Sequence, residues 1–410
     1  MSSTRQEFKC RDFVKYVDCD EEFEWRLREK GGAGLVYLLR KCISLEKSND
    51  IIQLEKTSSE ARQRIWEYLH SGNWKDIDPI FRRAYADASI FHAVVFDERK
   101  HYTSALKTID FALILAGTEC FPSHIHELVA YLERRIQASD KKGKIVSTGD
   151  YQHAAVVDRK IKYPLENVSL PSLFDFQMSF MQQNTPVVIY GAMDCWPALG
   201  HGNNEQSWKN LDYFRSIAGL RSVPVEIGRS YMDDDWGQKI MTINNFMDEF
   251  IFPPSNESQR IAYLAQYPLF DQIPRLAKDI QIPDYCSVLR QNEDLEADTE
   301  VTVNAWFGPQ HTISPLHYDP KDNLLCQVFG TKYIRLYAPD QTQNLYPSDG
   351  LMSNTSQVDI TNVDTQKFPD FSSTPYLECI LEEGQMLYIP PKNWHYVESL
   401  SVSCSVNFWW

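Results

Sequence analysis

One change of hydrophobic period, near residue 164, constrains the fold of this chain more than any other feature. Before it, GGAGLVYLLRKCISLEKS, SEARQRIWEYLHSG, DASIFHAVVFDERKHYTSALKTIDFALILAG and SHIHELVAYLERRIQA place apolar residues at i, i+3 and i+4, the spacing of amphipathic helices. Gly72 and Gly117 stand where left-handed helix C-caps belong. Residues 102–116 look like half of a helical-hairpin repeat. No fixed period emerges, however, so an ordinary helical bundle is favoured over a repeat array. After the change, TPVVIYGAMDCWP, RSVPVEIGRSY, TVNAWFGP, NLLCQVFGTKYIRLYAP, MLYIPPKNWHYVES and SVSCSVNFWW alternate β-branched or aromatic residues with polar ones. Many short strands between turn signals argue for a sandwich, jelly roll or barrel. Residues 324–329 and 332–337, joined at Gly330-Thr331, read as one β-hairpin, and Trp409 and Trp410 as part of the last strand. The expected fold class is α+β, with a helical domain over 1–138, a polar linker over 139–163 and a β domain over 164–410.

Composition narrows the function classes. Lys and Arg number 41 against 56 Asp and Glu, a net charge of −15, which disfavours direct nucleic-acid binding and suits basic protein partners. No run of 18 apolar residues is present, so no membrane span is expected. The opening MSSTRQEFKCRDF has no apolar core, so a secretory signal is not expected either. Nine cysteines include no C-x-x-C pair, and Cys326 and Cys404 sit in apolar runs. Buried free thiols in a reducing compartment, the nucleus or the cytoplasm, account for them most simply. The basic cluster DKKGK can be read as a nuclear address or, more simply, as solvated linker.

The segment SPLHYDPKDN carries the most chemical information. His317 and Asp319 are two residues apart, so on a strand they share a face and can hold one metal ion. His395 lies far downstream in PPKNWHYVES. Two histidines and a carboxylate leave the opposite metal positions open, as in non-haem Fe(II) oxygenases; zinc fits the same three ligands. Lys332 opens the otherwise apolar TKYIRLYAP. A lysine there is costly unless a carboxylate meets it, and a dicarboxylic cosubstrate would supply one. Its alternative is an edge-strand lysine facing water. Ser314 and Asn323 flank the H-x-D and can donate hydrogen bonds to the same ligand.

These segments, with VTVNAWFGPQHTISPLHYDPKDNLLCQVFGTKYIRLYAPD, LYPSD and EEGQMLYIPPKNWHYVESLSVSCSVNFWW, resemble the JmjC family of Fe(II)- and 2-oxoglutarate-dependent oxygenases from about residue 165 to 410. The resemblance implies a double-stranded β-helix. It implies His317, Asp319 and His395 as iron ligands, with O₂ at the remaining position. Lys332 and Tyr263 would hold the distal carboxylate of 2-oxoglutarate, with Ser314, Asn323 and Trp409 around it. Glu226, Tyr231 and Trp236 match an acidic, aromatic substrate pocket suited to a guanidinium, while Asp233, Asp234 and Asp235 read as a solvated turn. Asp319 stands where many histone demethylases of the family carry Glu, and no zinc-finger cysteines follow. The expected activity is therefore arginyl C3-hydroxylation of a protein. The alternatives are demethylation of N-methyl-lysine in a histone tail and a chromatin adaptor acting through the helices.

Overall fold

A computed structural model describes residues 9–17, 19–71, 77–122, 124–139, 159–201, 204–232, 236–253, 260–290 and 300–410. Gly72, residues 233–235 and most of the 139–163 linker lie outside the described residues. The chain divides into two compact units, Met1–Val146 with Leu220–Val223, and Ser147–Gly219 with Pro224–Trp410.

The first unit is helical: α1 (Cys10–Phe13), α2 (Glu21–Glu29), α3 (Ala33–Lys47), α4 (Ile51–Leu69), α5 (Pro79–Glu98), α6 (Tyr102–Ala116) and α7 (Ile125–Ser139). Asp caps start three of them. Asp20, Asp50 and Asp78 accept from the amides of Phe23, Gln53 and Ile80 at 2.7, 3.1 and 3.0 Å, satisfying donors that a helix start leaves unpaired. The long apolar run of residues 87–117 is two helices, broken where Lys100 takes a φ of +62°. Gly117 ends α6 at a φ of +87°, which glycine adopts without strain. The middle of α5, from Ala84 to Val95, is buried all round, so it forms the spine of this unit. His92 on that spine meets the Ser58 hydroxyl at 2.9 Å, and burial pulls its pKa down to about 4. Below about pH 6.5 an unfolded chain protonates this imidazole while the folded one does not. Stability should therefore fall as pH drops from 6.5 towards 4, by at most about 3 kcal/mol. His92→Gln should flatten that limb in urea titrations between pH 7 and 4.5; an identical slope would mean that His92 titrates normally.

The second unit is built on thirteen strands: β1 (Asn167–Ser169), β2 (Val187–Tyr190), β3 (Ser222–Ile227), β4 (Gly237–Thr242), β5 (Ala262–Tyr267), β6 (Thr302–Gly308), β7 (Ile313–His317), β8 (Asn323–Phe329), β9 (Lys332–Tyr337), β10 (Leu377–Leu381), β11 (Gln385–Ile389), β12 (Trp394–Ser399) and β13 (Ser403–Trp409). One sheet runs β1-β2-β11-β8-β13-β6-β5-β3-β4 and the other β10-β9-β12-β7. Val188, Leu325, Leu387 and Ile389 of the first pack with Ile334, Leu336, Leu381 and Val397 of the second as one core, a jelly roll. Period two along β9 puts Lys332 on the same inward face as Ile334 and Leu336.

The expected hairpin over residues 324–337 does not form. β8 is buried along its whole length and takes β11 and β13 on its two edges, leaving no edge for β9, which pairs with β10 and β12 in the other sheet. Gly330, at φ +74°, turns the chain from one sheet to the other, and a Cβ there would fall 2.2 Å from the Val402 carbonyl oxygen. Two smaller expectations also change. Asp319 lies in the turn after β7 rather than on the strand with His317. Trp410 lies just past β13, held by its amide on the Asp322 carbonyl at 3.3 Å and by its indole on the Val288 carbonyl at 2.9 Å. None of the nine cysteines is in a disulfide, and Cys326 and Cys404 are among the buried ones. Among the described residues no helix is long and apolar enough to cross a membrane.

Candidate active site

His317, the last residue of β7, faces His395, the second residue of β12, directly across the strand pair. The register thus brings together two residues 78 positions apart in the chain (395 − 317 = 78). Their rings sit 4.2 Å apart between centroids, and His395 Nε2 lies 3.6 Å from an Asp319 carboxylate oxygen. Among the described residues this is the one group whose ligand atoms converge for a metal, all within 4.8 Å of one another. Each imidazole is oriented by its other nitrogen. His317 Nδ1 contacts the Pro315 carbonyl at 2.7 Å and His395 Nδ1 the Asn393 carbonyl at 3.0 Å. An Nδ1–H that donates to a carbonyl leaves Nε2 with its lone pair directed at the centre. Burial, then the neighbouring His317, pulls the His395 pKa down to about 4, so it is the neutral ligand a metal needs. Asp319 is tied through its carbonyl oxygen, which accepts from the Lys392 amide at 2.8 Å.

A cavity of about 400 Å³, counting space open to solvent, runs inward from the triad between the sheets. Lys332, Tyr263, Ser314, Asn323 and Trp409 all line it. Lys332 is 1% exposed and on an inner strand, so it is no edge-strand lysine. Its ammonium donates to the Tyr263 hydroxyl at 3.0 Å, and burial lowers its pKa to about 7. Trp306 and Asn407 also line the cavity, and composition gave no sign of either. Trp306 Nε1 donates to Asn407 Oδ1 at 2.8 Å, and Asn407 Nδ2 to Asn323 Oδ1 at 3.3 Å. That relay fixes the Asn323 side chain, and among the described residues its amide nitrogen shows no hydrogen-bond partner. The signal available was the i, i+2 spacing of Asn407 with Trp409, which only the strand assignment makes meaningful.

Comparison with known proteins decides the family. A cupin-like domain model matches residues 173–410. Lysine-specific demethylase 8 of Danio rerio is 38% identical over 386 residues, covering 90% of this chain and 92% of its own. The chain belongs to the JmjC cupin-like family. Two other relatives are similar over most of their length. Lysine-specific demethylase JMJ30 of Arabidopsis thaliana is 37% identical, covering 87% of this chain and 86% of its own. Jumonji C domain-containing protein 5 of Drosophila melanogaster is 37% identical, at 85% and 84%. This JmjC protein also matches KDM8-like, N-terminal ARM repeats over residues 29–145, which overturns the ordinary bundle expected from the sequence. ARM units vary in helix length and spacing, so their similarity does not surface as a fixed residue period.

The JmjC protein is an enzyme of the 2-oxoglutarate-dependent dioxygenase kind, and its residues fit that cosubstrate. Lys332 is a buried cation whose one hydrogen-bond partner among the described residues is a neutral phenol. Trp409 Nε1 is a buried donor with no partner among the described residues. Both lie on the cavity wall, and a carboxylate would satisfy them. The His-Asp-His set suits Fe(II), leaving positions open for a chelating keto acid and O₂.

The third group of residues expected from the sequence is also brought together. Glu226 on β3 pairs in register with Tyr263 on β5. Trp236 Nε1 donates to Glu226 Oε2 at 3.3 Å. Burial raises the Tyr231 pKa, the nearby Asp319 and Glu226 carboxylates raise it further, and Thr355 opposes them. Burial raises the Glu226 pKa, opposed by the Trp236 bond.

Proposed function

We propose that this JmjC oxygenase hydroxylates an arginine side chain of a protein substrate at C3. The observation that carries the reading is Glu226. Its half-buried carboxylate stands beside Trp236, Tyr231 and Tyr263, and among the described residues no cation pairs with it. A planar guanidinium answers both needs, because it pairs bidentately with a carboxylate and stacks on aromatic faces. Its own charge would also relieve the cost of burying Glu226.

Each residue then has a role. His317, Asp319 and His395 hold the metal, and Lys332 with Tyr263 anchors the far carboxylate of 2-oxoglutarate, setting which end of the keto acid meets the metal. Asn323, Ser314 and Trp409 close the cavity around it and limit water. Glu226 holds the guanidinium so that carbons nearer the peptide backbone lie towards the triad. Iron, 2-oxoglutarate and O₂ supply the oxidation, in which decarboxylation to succinate and CO₂ accompanies insertion of one oxygen atom into a C–H bond.

Glu226→Gln should depress oxygen transfer to an arginine peptide about tenfold or more, the scale of a charge-assisted hydrogen bond of about 1.5–3 kcal/mol. Uncoupled 2-oxoglutarate decarboxylation should stay near wild type, because the triad is untouched. Intact-mass analysis reads the first and succinate release the second. Equal loss of both would make Glu226 a structural residue.

The names of two relatives, both lysine-specific demethylases, favour a second reading, removal of a methyl group from lysine. A methyl-ammonium would use Trp236 and Tyr231 as a cation–π wall and need Glu226 only as a point charge. Matched peptides carrying Arg or dimethyl-Lys at one position separate the two. Formaldehyde from the lysine peptide, with no mass gain on the arginine one, decides for demethylation.

A further inference from the structure

One buried carboxylate ties together several segments around the catalytic cavity. Asp322, 4% exposed, stands in the turn between the metal ligand Asp319 and the cavity residue Asn323. Its two oxygens accept from Arg290, one from Nε at 2.9 Å and the other from Nη2 at 2.7 Å. The second oxygen also accepts from the Tyr388 hydroxyl at 2.5 Å. Arg290 Nη2 donates to that hydroxyl too, at 3.0 Å, and Nη1 donates to the Met181 carbonyl and to Asn184 Oδ1 at 2.9 and 2.8 Å. The Asp322 carbonyl holds the Trp410 amide. Arg290, Asp322 and Tyr388 themselves do not line the cavity.

Three of the tied residues have a cavity residue as their chain neighbour. Asn323 follows Asp322, Ile389 follows Tyr388 and Trp409 precedes Trp410, and these three neighbours all line the cavity. Adjacent residues in extended chain face opposite ways, so one of each pair serves the network and the other the cavity. The three cavity residues also lie side by side, because β8 pairs Asn323 with Ile389 on one edge and with Trp409 on the other. Trp409 is the last residue of β13, where a strand frays first, and its Nε1 is the cavity's unpartnered donor among the described residues. Asp319 is held separately, through its carbonyl on the Lys392 amide.

We propose that Arg290, Asp322 and Tyr388 are positioning residues for 2-oxoglutarate, holding the wall of Asn323, Ile389 and Trp409 that the cosubstrate binds against. A carboxylate and a guanidinium taken out of water regain in mutual attraction about what they lose in hydration. Such a pair therefore adds little stability over apolar packing of the same volume. What it adds is geometry, since a bidentate fork fixes angle as well as distance. A wall fixed in this way presents its donors already in place, so less order is lost when the ligand arrives. The inference goes beyond the choice between arginine and methyl-lysine and holds for either, because both reactions consume 2-oxoglutarate.

The test uses the full chain and two variants. One combines Asp322→Leu with Arg290→Met, apolar replacements that leave no charge buried alone. The other is Tyr388→Phe, which removes one hydroxyl and no charge. Calorimetry under anaerobic conditions with Fe(II) reads 2-oxoglutarate affinity, and hydrogen exchange of the Asn323 and Trp409 amides is followed without cosubstrate. The double variant should keep the wild-type melting temperature and bind 2-oxoglutarate about tenfold more weakly or worse, the scale on which groups that orient a ligand act. Both amides should exchange faster. Fe(II) affinity should not change, because Asp319 is held separately, and in uncoupled decarboxylation KM should rise while kcat stays. Tyr388→Phe should shift affinity and exchange in the same direction by a smaller factor, and it decides the matter if the double variant does not fold. A purely structural role gives the opposite pattern, a lower melting temperature with wild-type affinity and KM in the molecules that remain folded. That pattern, or wild-type affinity with wild-type exchange in the folded variants, overturns the proposal.

Discussion

His317→Ala and Asp319→Ala should each abolish 2-oxoglutarate turnover while leaving the fold in place. Both side chains are only partly buried and end in the open centre rather than in the core, so their loss creates no packed void. The effect on metal binding should exceed the about 10–100-fold seen when residues that merely orient a ligand are removed, because a donor atom is itself lost. His395→Ala is the less clean variant, since His395 is buried against His317 and its loss also opens packing. Succinate release checks the prediction, with Fe(II) titrated against Zn(II). Turnover should return with iron alone. Decarboxylation at the wild-type rate by either alanine variant would remove the triad from the mechanism.

Lys332→Met should weaken 2-oxoglutarate binding by about 2–5 kcal/mol, roughly thirtyfold at the least, the usual cost of truncating one partner of a buried charge pair. The direction of its pH dependence follows from burial. Without a carboxylate, desolvation holds the Lys332 pKa at about 7. A bound carboxylate favours the ammonium and raises it. Between the free and bound values, therefore, binding draws a proton from solution, and affinity should decline as pH rises above 7. Calorimetry at pH 8 in buffers of different ionisation enthalpy should show this proton uptake, and the methionine variant should lose it. The ligand-free variant should be no less stable than wild type, because it no longer buries an ammonium whose hydrogen-bond partner is a neutral hydroxyl. Proton-neutral binding by wild type at pH 8 would mean that Lys332 is charged before the ligand arrives.

Much of this site was legible in the residues because its chemistry needs particular side chains at short range. His317 and Asp319 are close in sequence, and their turn sets their approach whatever surrounds it. Lys332 stood out because a cation in an apolar strand demands a partner. The change of period at residue 164 likewise separated helices from strands, since 3.6 and 2.0 are local properties of a chain. Long-range pairing is a different matter. The hairpin over residues 324–337 was a sound local expectation, and it failed because β11 and β13 occupy both edges of β8. Only the register of β12 on β7 sets His395 opposite His317, and only the alignment of β13 with β8 brings Asn407 to Asn323. The same holds for the Glu226–Tyr263 pair. A strand's side-chain pattern says which face is inward, but not which strand lies beside it. Neighbour choice depends on the whole set of edges and buried faces being satisfied together, and that sum exists only in the folded sheet.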